Sequence, residues 1–124
     1  MIMMLEGKKI LIVEDEVILA LDLRFAMEDM GADVIGPCHR LSRAMEMAET
    51  APIDGAILDV DLAGEAVFPL ADNLRKRHVP FVFHTGRHNP AELSDLYGGV
   101  TICPKPSSPE RVAQELMAMM NRTD

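Results

Sequence analysis

The chain lacks three things: an apolar run long enough to cross a bilayer, a surplus of basic residues, and cysteines spaced as metal ligands. A membrane helix needs about 20 consecutive apolar residues. The strongest run here, Lys9-Ile10-Leu11-Ile12-Val13, is cut by Glu14, Asp15 and Glu16. The opening Met1-Ile2-Met3-Met4-Leu5 is apolar, but it has neither the long h-region nor the small-residue cleavage site of a signal peptide. Residues 1–7 therefore read as an N-terminal tail or an extra turn. Twelve Lys and Arg stand against twenty Asp and Glu, a formal net charge of −8. No basic patch is available to neutralise phosphates, which argues against nucleic acid as a partner. Cys38 and Cys103 lie in different apolar segments and read as buried, reduced thiols. Low-complexity linkers and internal repeats are also missing. What remains is a cytoplasmic protein, with no membrane attachment, that works through other proteins.

With 124 residues, 48% apolar and 26% charged, the composition is that of one ordinary globular domain. Short β-branched runs alternate with longer amphipathic stretches. Strands are expected at Lys9–Val13, Asp33–Pro37, Ile53–Asp59, Val79–His84 and Val100–Cys103. Helices are expected from Glu16 to Met30, Leu41 to Thr50, Gly64 to Lys76, over a short segment opened by Asn89-Pro90, and after Ser107. Gly31 is a natural C-cap, and Ser107 with Glu110 forms a candidate capping box for the last helix. Five strand–helix units in succession imply an α/β fold: a doubly wound, five-stranded parallel sheet with helices on both faces. In such sheets the chemistry collects outside the carboxyl ends of the strands.

Those ends are rich in chemistry. Strand one delivers Glu14 and Asp15, strand three Asp59, strand four Thr85 and strand five Lys105. Any one of these has a plain explanation as a helix cap, a turn residue or a solvated lysine. Together they fall on one edge of one sheet. Three converging carboxylates repel one another unless a cation sits among them. Oxygen ligands alone favour a hard ion such as Mg²⁺. A carboxylate nucleophile, a metal, a hydroxyl and an ammonium are the parts that phosphoryl transfer needs for positioning and charge stabilisation.

The stretches Ile12-Val13-Glu14-Asp15-Glu16, Leu58-Asp59-Val60-Asp61-Leu62, Phe83-His84-Thr85-Gly86 and Pro104-Lys105-Pro106 resemble the receiver domain of bacterial two-component response regulators. The resemblance runs from Lys8 to about Met120 and implies the flavodoxin-like strand order 2-1-3-4-5. It also implies that Asp59 is phosphorylated by a histidine kinase or histidine phosphotransfer protein. Asp15 and Asp59 would ligate Mg²⁺, with the Asp61 carbonyl as a further ligand and Glu14 acting through water. Lys105 would pair with Asp59 and then with the phosphoryl group, and Thr85 would close on a phosphoryl oxygen. The Lys105–Pro106 bond is expected cis. Asp61 and Arg87 stand where the family tunes water attack on the phosphoryl group. The chain would act as a single receiver over residues 1–124 without an output domain, catalysing only its own phosphorylation and dephosphorylation. Dimerisation on phosphorylation is compatible with this reading.

Two departures from the family pattern stand out. The aromatic residue usual three positions before the lysine is replaced by Ile102, and the segment from Thr85 to Lys105 leaves room only for a shortened fourth helix. With Pro80-Phe81-Val82-Phe83-His84-Thr85-Gly86-Arg87, these features resemble the atypical "FAT GUY" receivers of alphaproteobacteria, though His84 and Arg87 replace that subgroup's usual residues. An alternative is a small haloacid-dehalogenase-like phosphohydrolase using Asp59 and Asp61. That family's last acidic motif should follow the lysine, whereas the acidic pair here precedes it. A receiver fold that only binds, without being phosphorylated, is a third reading. On the first helix, Ile18, Leu21 and Phe25 form one apolar stripe and Leu19, Leu23, Met27 and Met30 another. Either neighbouring helices cover both, or one stripe docks the partner's helical bundle. The four histidines share no metal spacing and read as structural or exposed, and the many methionines as adaptable core filling.

Overall fold

Each strand sends alternate side chains into two different helical layers, so a continuous apolar run is needed to serve both. The computed structural model describes residues 4–86 and 89–122. The expectations that rest on Met1, Ile2, Met3, Arg87 and His88 lie outside the described residues. In chain order the elements are β1 (Lys9–Val13), α1 (Val17–Asp29), β2 (Asp33–Cys38), α2 (Leu41–Thr50), β3 (Gly55–Leu58), β4 (Asp61–Leu62) and β5 (Glu65–Ala66). They continue with α3 (Phe68–Lys76), β6 (Phe81–Thr85), α4 (Pro90–Leu96), β7 (Ile102–Pro104) and α5 (Pro109–Arg122). The main sheet is parallel with order β2-β1-β3-β6-β7, the expected 2-1-3-4-5 once the small hairpin β4–β5 is set aside.

Leu11, Val13, Ala56, Leu58, Phe81 and Phe83 point to one core, closed by α2, α3 and α4. Ile10, Ile12, Ile57, Val82 and Cys103 point to the other, closed by Leu23 and Met27 of α1 and by Val112, Ala113, Leu116 and Met119 of α5. Both cysteines are buried and unpaired, as expected. Met45, Met47, Met117 and Met120 pack against the cores as filler. Of the two readings of the N-terminal segment, the turn is what residues 4–7 form: Leu5 is buried and its N–H donates to the Met30 carbonyl at 2.8 Å. Among the described residues no helix is long and apolar enough to cross a membrane.

The strands expected at Ile53–Asp59, Val79–His84 and Val100–Cys103 form at Gly55–Leu58, Phe81–Thr85 and Ile102–Pro104, and three further boundaries differ for local reasons. The third helix starts at Phe68, not Gly64, because Asp61–Leu62 pairs antiparallel with Glu65–Ala66 across a turn in which Ala63 and Gly64 have φ of 52° and 92°. Two successive residues at positive φ are what a tight two-residue hairpin requires. The last helix is capped by Ser108, not Ser107. The Ser108 Oγ accepts from Arg111 N–H at 3.1 Å, while the Ser107 hydroxyl donates to the Pro104 carbonyl. With Pro109 as first helical residue, Glu110 stands one place too early to complete a box. Finally, β2 runs through Pro37 to Cys38 with the ladder shifted between Leu11 and Val13, which an edge strand tolerates.

Candidate functional site

The site is built by the period of two along the strands. Ile12, Ile57, Val82 and Cys103 all belong to the α1–α5 core. Two residues after each stand Glu14, Asp59, His84 and Lys105, so one more alternation carries these four side chains to the same side of the sheet edge. Thr85 follows the opposite parity, after Phe81 and Phe83. The crevice opens between β1 and β3, where the strand order reverses direction.

The Lys105 ammonium lies 3.0 Å from Glu14 Oε1, 3.2 Å from Asp59 Oδ2 and 3.8 Å from Glu16 Oε1. It thus bridges two carboxylates that are themselves buried. Glu14 is further held by the Glu16 N–H at 3.1 Å on Oε2. Asp15 accepts from the Ala63 N–H at 3.2 Å, and Asp59 Oδ1 from the Asp61 N–H at 3.3 Å. The hairpin β4–β5 therefore orients two of the acids through its backbone. A pocket of about 290 Å³ is lined by Asp15, Glu16, Asp59, Asp61, Thr85, Gly86 and Lys105.

Burial pushes the Glu14 carboxyl up to about 8, with the Lys105 ammonium pulling it down and Asp59 pushing it further up. Burial also raises Asp59, against the pull of its hydrogen-bonding neighbour Glu14 and of Lys105. At the rim, burial pushes Asp15 up, but hydrogen bonding to the Asp59 and Glu14 carboxyls and to Ala63 outweighs it and leaves the group low. For Lys105, burial favours the neutral amine, yet Glu14 and Asp59 outweigh burial and hold it protonated. Carboxyls forced toward neutrality in a polar pocket mark a place short of positive charge.

Glu14, Asp15 and Asp59 can each offer an oxygen within 4.8 Å of the others. An all-oxygen donor set of this kind fits a hard divalent cation. The sequence-predicted residues Glu14, Asp15, Asp59, Thr85 and Lys105 are thus brought together. Asp61 joins them in the pocket lining, but its own Oδ1 accepts from the Gly64 N–H at 3.1 Å and serves the hairpin. The Lys105–Pro106 bond is cis, as is Gly36–Pro37.

Sequence reasoning missed the depth of the site. Read as structural or exposed, His84 proves to be 1% exposed, with Nδ1 4.0 Å from Glu14 Oε1. The His39 ring nitrogen Nδ1 lies 2.8 Å from the Glu14 carbonyl. Counting parity backward from Lys105 and Asp59 would have found His84, since Val82 shares its face.

No protein-family model matches the chain. Over 80 residues it is 35% identical to the phyllosphere-induced regulator PhyR of Methylorubrum extorquens, a match covering 62% of this chain and 30% of that protein. The matched part therefore spans under a third of the relative's length. The fold is similar to a response regulator receiver protein from Sinorhizobium medicae, with TM-score 0.85, 26% identity and coverage of 97% and 99% of the two chains. It is similar, too, to SdrG from Sphingomonas melonis, with TM-score 0.78, 33% identity and coverage of 93% and 97%. The likeness to PhyR agrees with the atypical alphaproteobacterial subgroup expected from Pro80 to Arg87. With a receiver's sheet order, its acidic crevice and a relative one-third identical along nearly the whole length, the chain belongs to the receiver domains of response regulators.

Proposed function

We propose that the chain takes a phosphoryl group onto Asp59 in a two-component or phosphorelay system and signals through its surface. The observation that carries this is a buried Asp59 carboxylate with the Lys105 ammonium 3.2 Å away and two further carboxylates beside it. An Asp59 oxygen attacks the phosphorus of a phosphohistidine donor. The P–N bond breaks and leaves its electron pair on the imidazole, which takes a proton from water. Lys105 then turns from Asp59 to the phosphoryl oxygens, and the Thr85 hydroxyl donates to another. A Mg²⁺ ion held by Asp15, Asp59 and the Asp61 carbonyl, with Glu14 nearby, would neutralise charge on the incoming group.

The donor is a helical histidine kinase or phosphotransfer protein, and the surface that suits it is α1. Leu23 and Met27 face the core, whereas Ile18 is 78%, Leu21 39% and Phe25 57% exposed. The phosphohydrolase alternative is not favoured. Its acid–base residue would be Asp61, whose carboxylate caps the hairpin, and the similar folds are receivers. The reading is tested by mixing the protein with Mg²⁺ and acetyl phosphate and recording intact mass. One added phosphoryl group that needs Mg²⁺ and vanishes in Asp59→Ala is expected. No adduct, and no response to beryllofluoride, would leave only a binding module.

A further inference from the structure

Phosphoryl transfer as described makes no use of His84, yet this residue is buried inside the site. Its side chain is 1% exposed, and neither ring nitrogen has a hydrogen-bond partner among the described residues. It occupies a central strand, on the face shared with Val82, where a β-branched apolar residue would pack without loss. A buried imidazole without partners costs stability in the resting fold. Only a gain in another state offsets such a cost.

The geometry names the partner. Nδ1 stands 4.0 Å from Glu14 Oε1, about 1 Å beyond hydrogen-bond reach. That oxygen stands 3.0 Å from the Lys105 ammonium as an ion pair but accepts no hydrogen bond among the described residues, while the same ammonium donates to Glu14 Oε2 and to Asp59 Oδ2, each at 3.2 Å. A lysine drawn onto a phosphoryl group on Asp59 leaves the buried Glu14 carboxyl without its present donor. Room for the exchange exists, since an open cavity of about 650 Å³ lies against His84, Lys105, Ile18, Leu19 and Pro106. The imidazole is neutral near pH 7, because burial and the Lys105 charge push its pKa down to about 4. A neutral ring can still donate one N–H.

We propose that His84 is a positioning residue, donating its Nδ1–H to Glu14 as Lys105 turns from Glu14 to the phosphoryl group. It acts through Glu14 and does not touch the phosphoryl group. The idea rests on the phosphoacceptor reading above, and its signature is a split between stability and reaction rate.

The test compares wild type with His84→Val, which fills the space without polarity, and His84→Asn, whose amide N–H takes the place of Nδ1–H. Urea unfolding is measured beside the rate of acetyl phosphate labelling at limiting Mg²⁺. His84→Val should unfold at the same or higher urea, yet label on the order of tenfold more slowly, the size of leaving one buried acceptor unsatisfied. His84→Asn should recover to within about threefold of wild type. Equal labelling by His84→Val, or no recovery in a folded His84→Asn, overturns the assignment. Should His84→Val not fold, His84→Ala takes its place with the same expectation for the labelling rate and its recovery by His84→Asn. A wild-type protein that takes no label at all defeats the phosphoacceptor reading first, and the role of His84 with it.

Discussion

Glu14 is a buried carboxyl whose cationic partner, Lys105, is shared with Asp59, and this sharing is a main determinant of how the domain responds to pH. Its pKa is raised to about 8 in the fold, so the folded state holds a proton that the unfolded chain has released. A raised carboxyl contributes stability at low pH that is lost as pH climbs through the folded value. His84 acts with the opposite sign: pushed down to about 4, it costs stability as pH falls below the usual histidine range near 6.5. Between pH 4.5 and 6.5 the two oppose. From pH 6.5 to about 8 Glu14 acts without that opposition. Metal-free protein should therefore lose about 1 kcal/mol over that upper interval, within the limit of one proton per site. Urea unfolding in chelator at both pH values measures the loss, and Glu14→Gln should flatten it. Mg²⁺ should stabilise more at pH 8 than at pH 6.5; a flat metal-free profile in the wild type would contradict the buried-acid account.

At the scale of elements, what the sequence declared was whatever its periodicity could carry. The segments Ile10–Val13 and Phe81–Phe83 are continuous apolar runs because both faces are buried, and Leu41–Thr50 matches its helix end to end. The hairpin of Asp61–Leu62 with Glu65–Ala66 was hidden, because its strands are two residues each and Ala63 does not advertise a positive φ as glycine does. The site followed the same rule. Glu14, Asp15, Asp59, Thr85 and Lys105 were legible because they stand at or just beyond the ends of predicted strands as chemistry-bearing residue types. His84 was not, since nothing in a list of histidines reveals which face of a strand each one takes. Capping shows how narrow such margins are: two adjacent serines, Ser107 and Ser108, differ only in which carries the Arg111 N–H. Ser108→Ala should cost about 1 kcal/mol of stability as a lost N-cap. Ser107→Ala should cost less, and thermal melts of the two variants decide whether the cap lies where the geometry has it.

For the whole molecule, the division of labour runs through the sheet. The face under α2, α3 and α4 buries an aromatic cluster in which Tyr97 packs against Phe68 and Phe83, and its hydroxyl donates to Asp72 at 2.7 Å. That cluster anchors the seven-residue α4 although position 102 holds an isoleucine. The opposite face carries α1, whose Ile18 and Phe25 are exposed beyond the core, with Ile18 lining the cavity that borders His84 and Lys105. Surface substitutions outside packed or hydrogen-bonded features usually change stability by under about 0.5 kcal/mol. Ile18→Lys and Phe25→Lys should therefore leave the urea midpoint and the acetyl phosphate labelling rate close to wild type. If α1 is the docking face proposed above, a phosphorylated protein donor has to desolvate it to bring its histidine to Asp59, and two buried ammonium groups oppose that. Transfer from such a donor should then fall by at least about tenfold, each lost 1.4 kcal/mol of docking being one factor of ten. Slowing with the protein donor but not the small one assigns α1 to docking. Equal slowing with both would place the defect in the pocket, and no slowing with either would move the docking surface off α1.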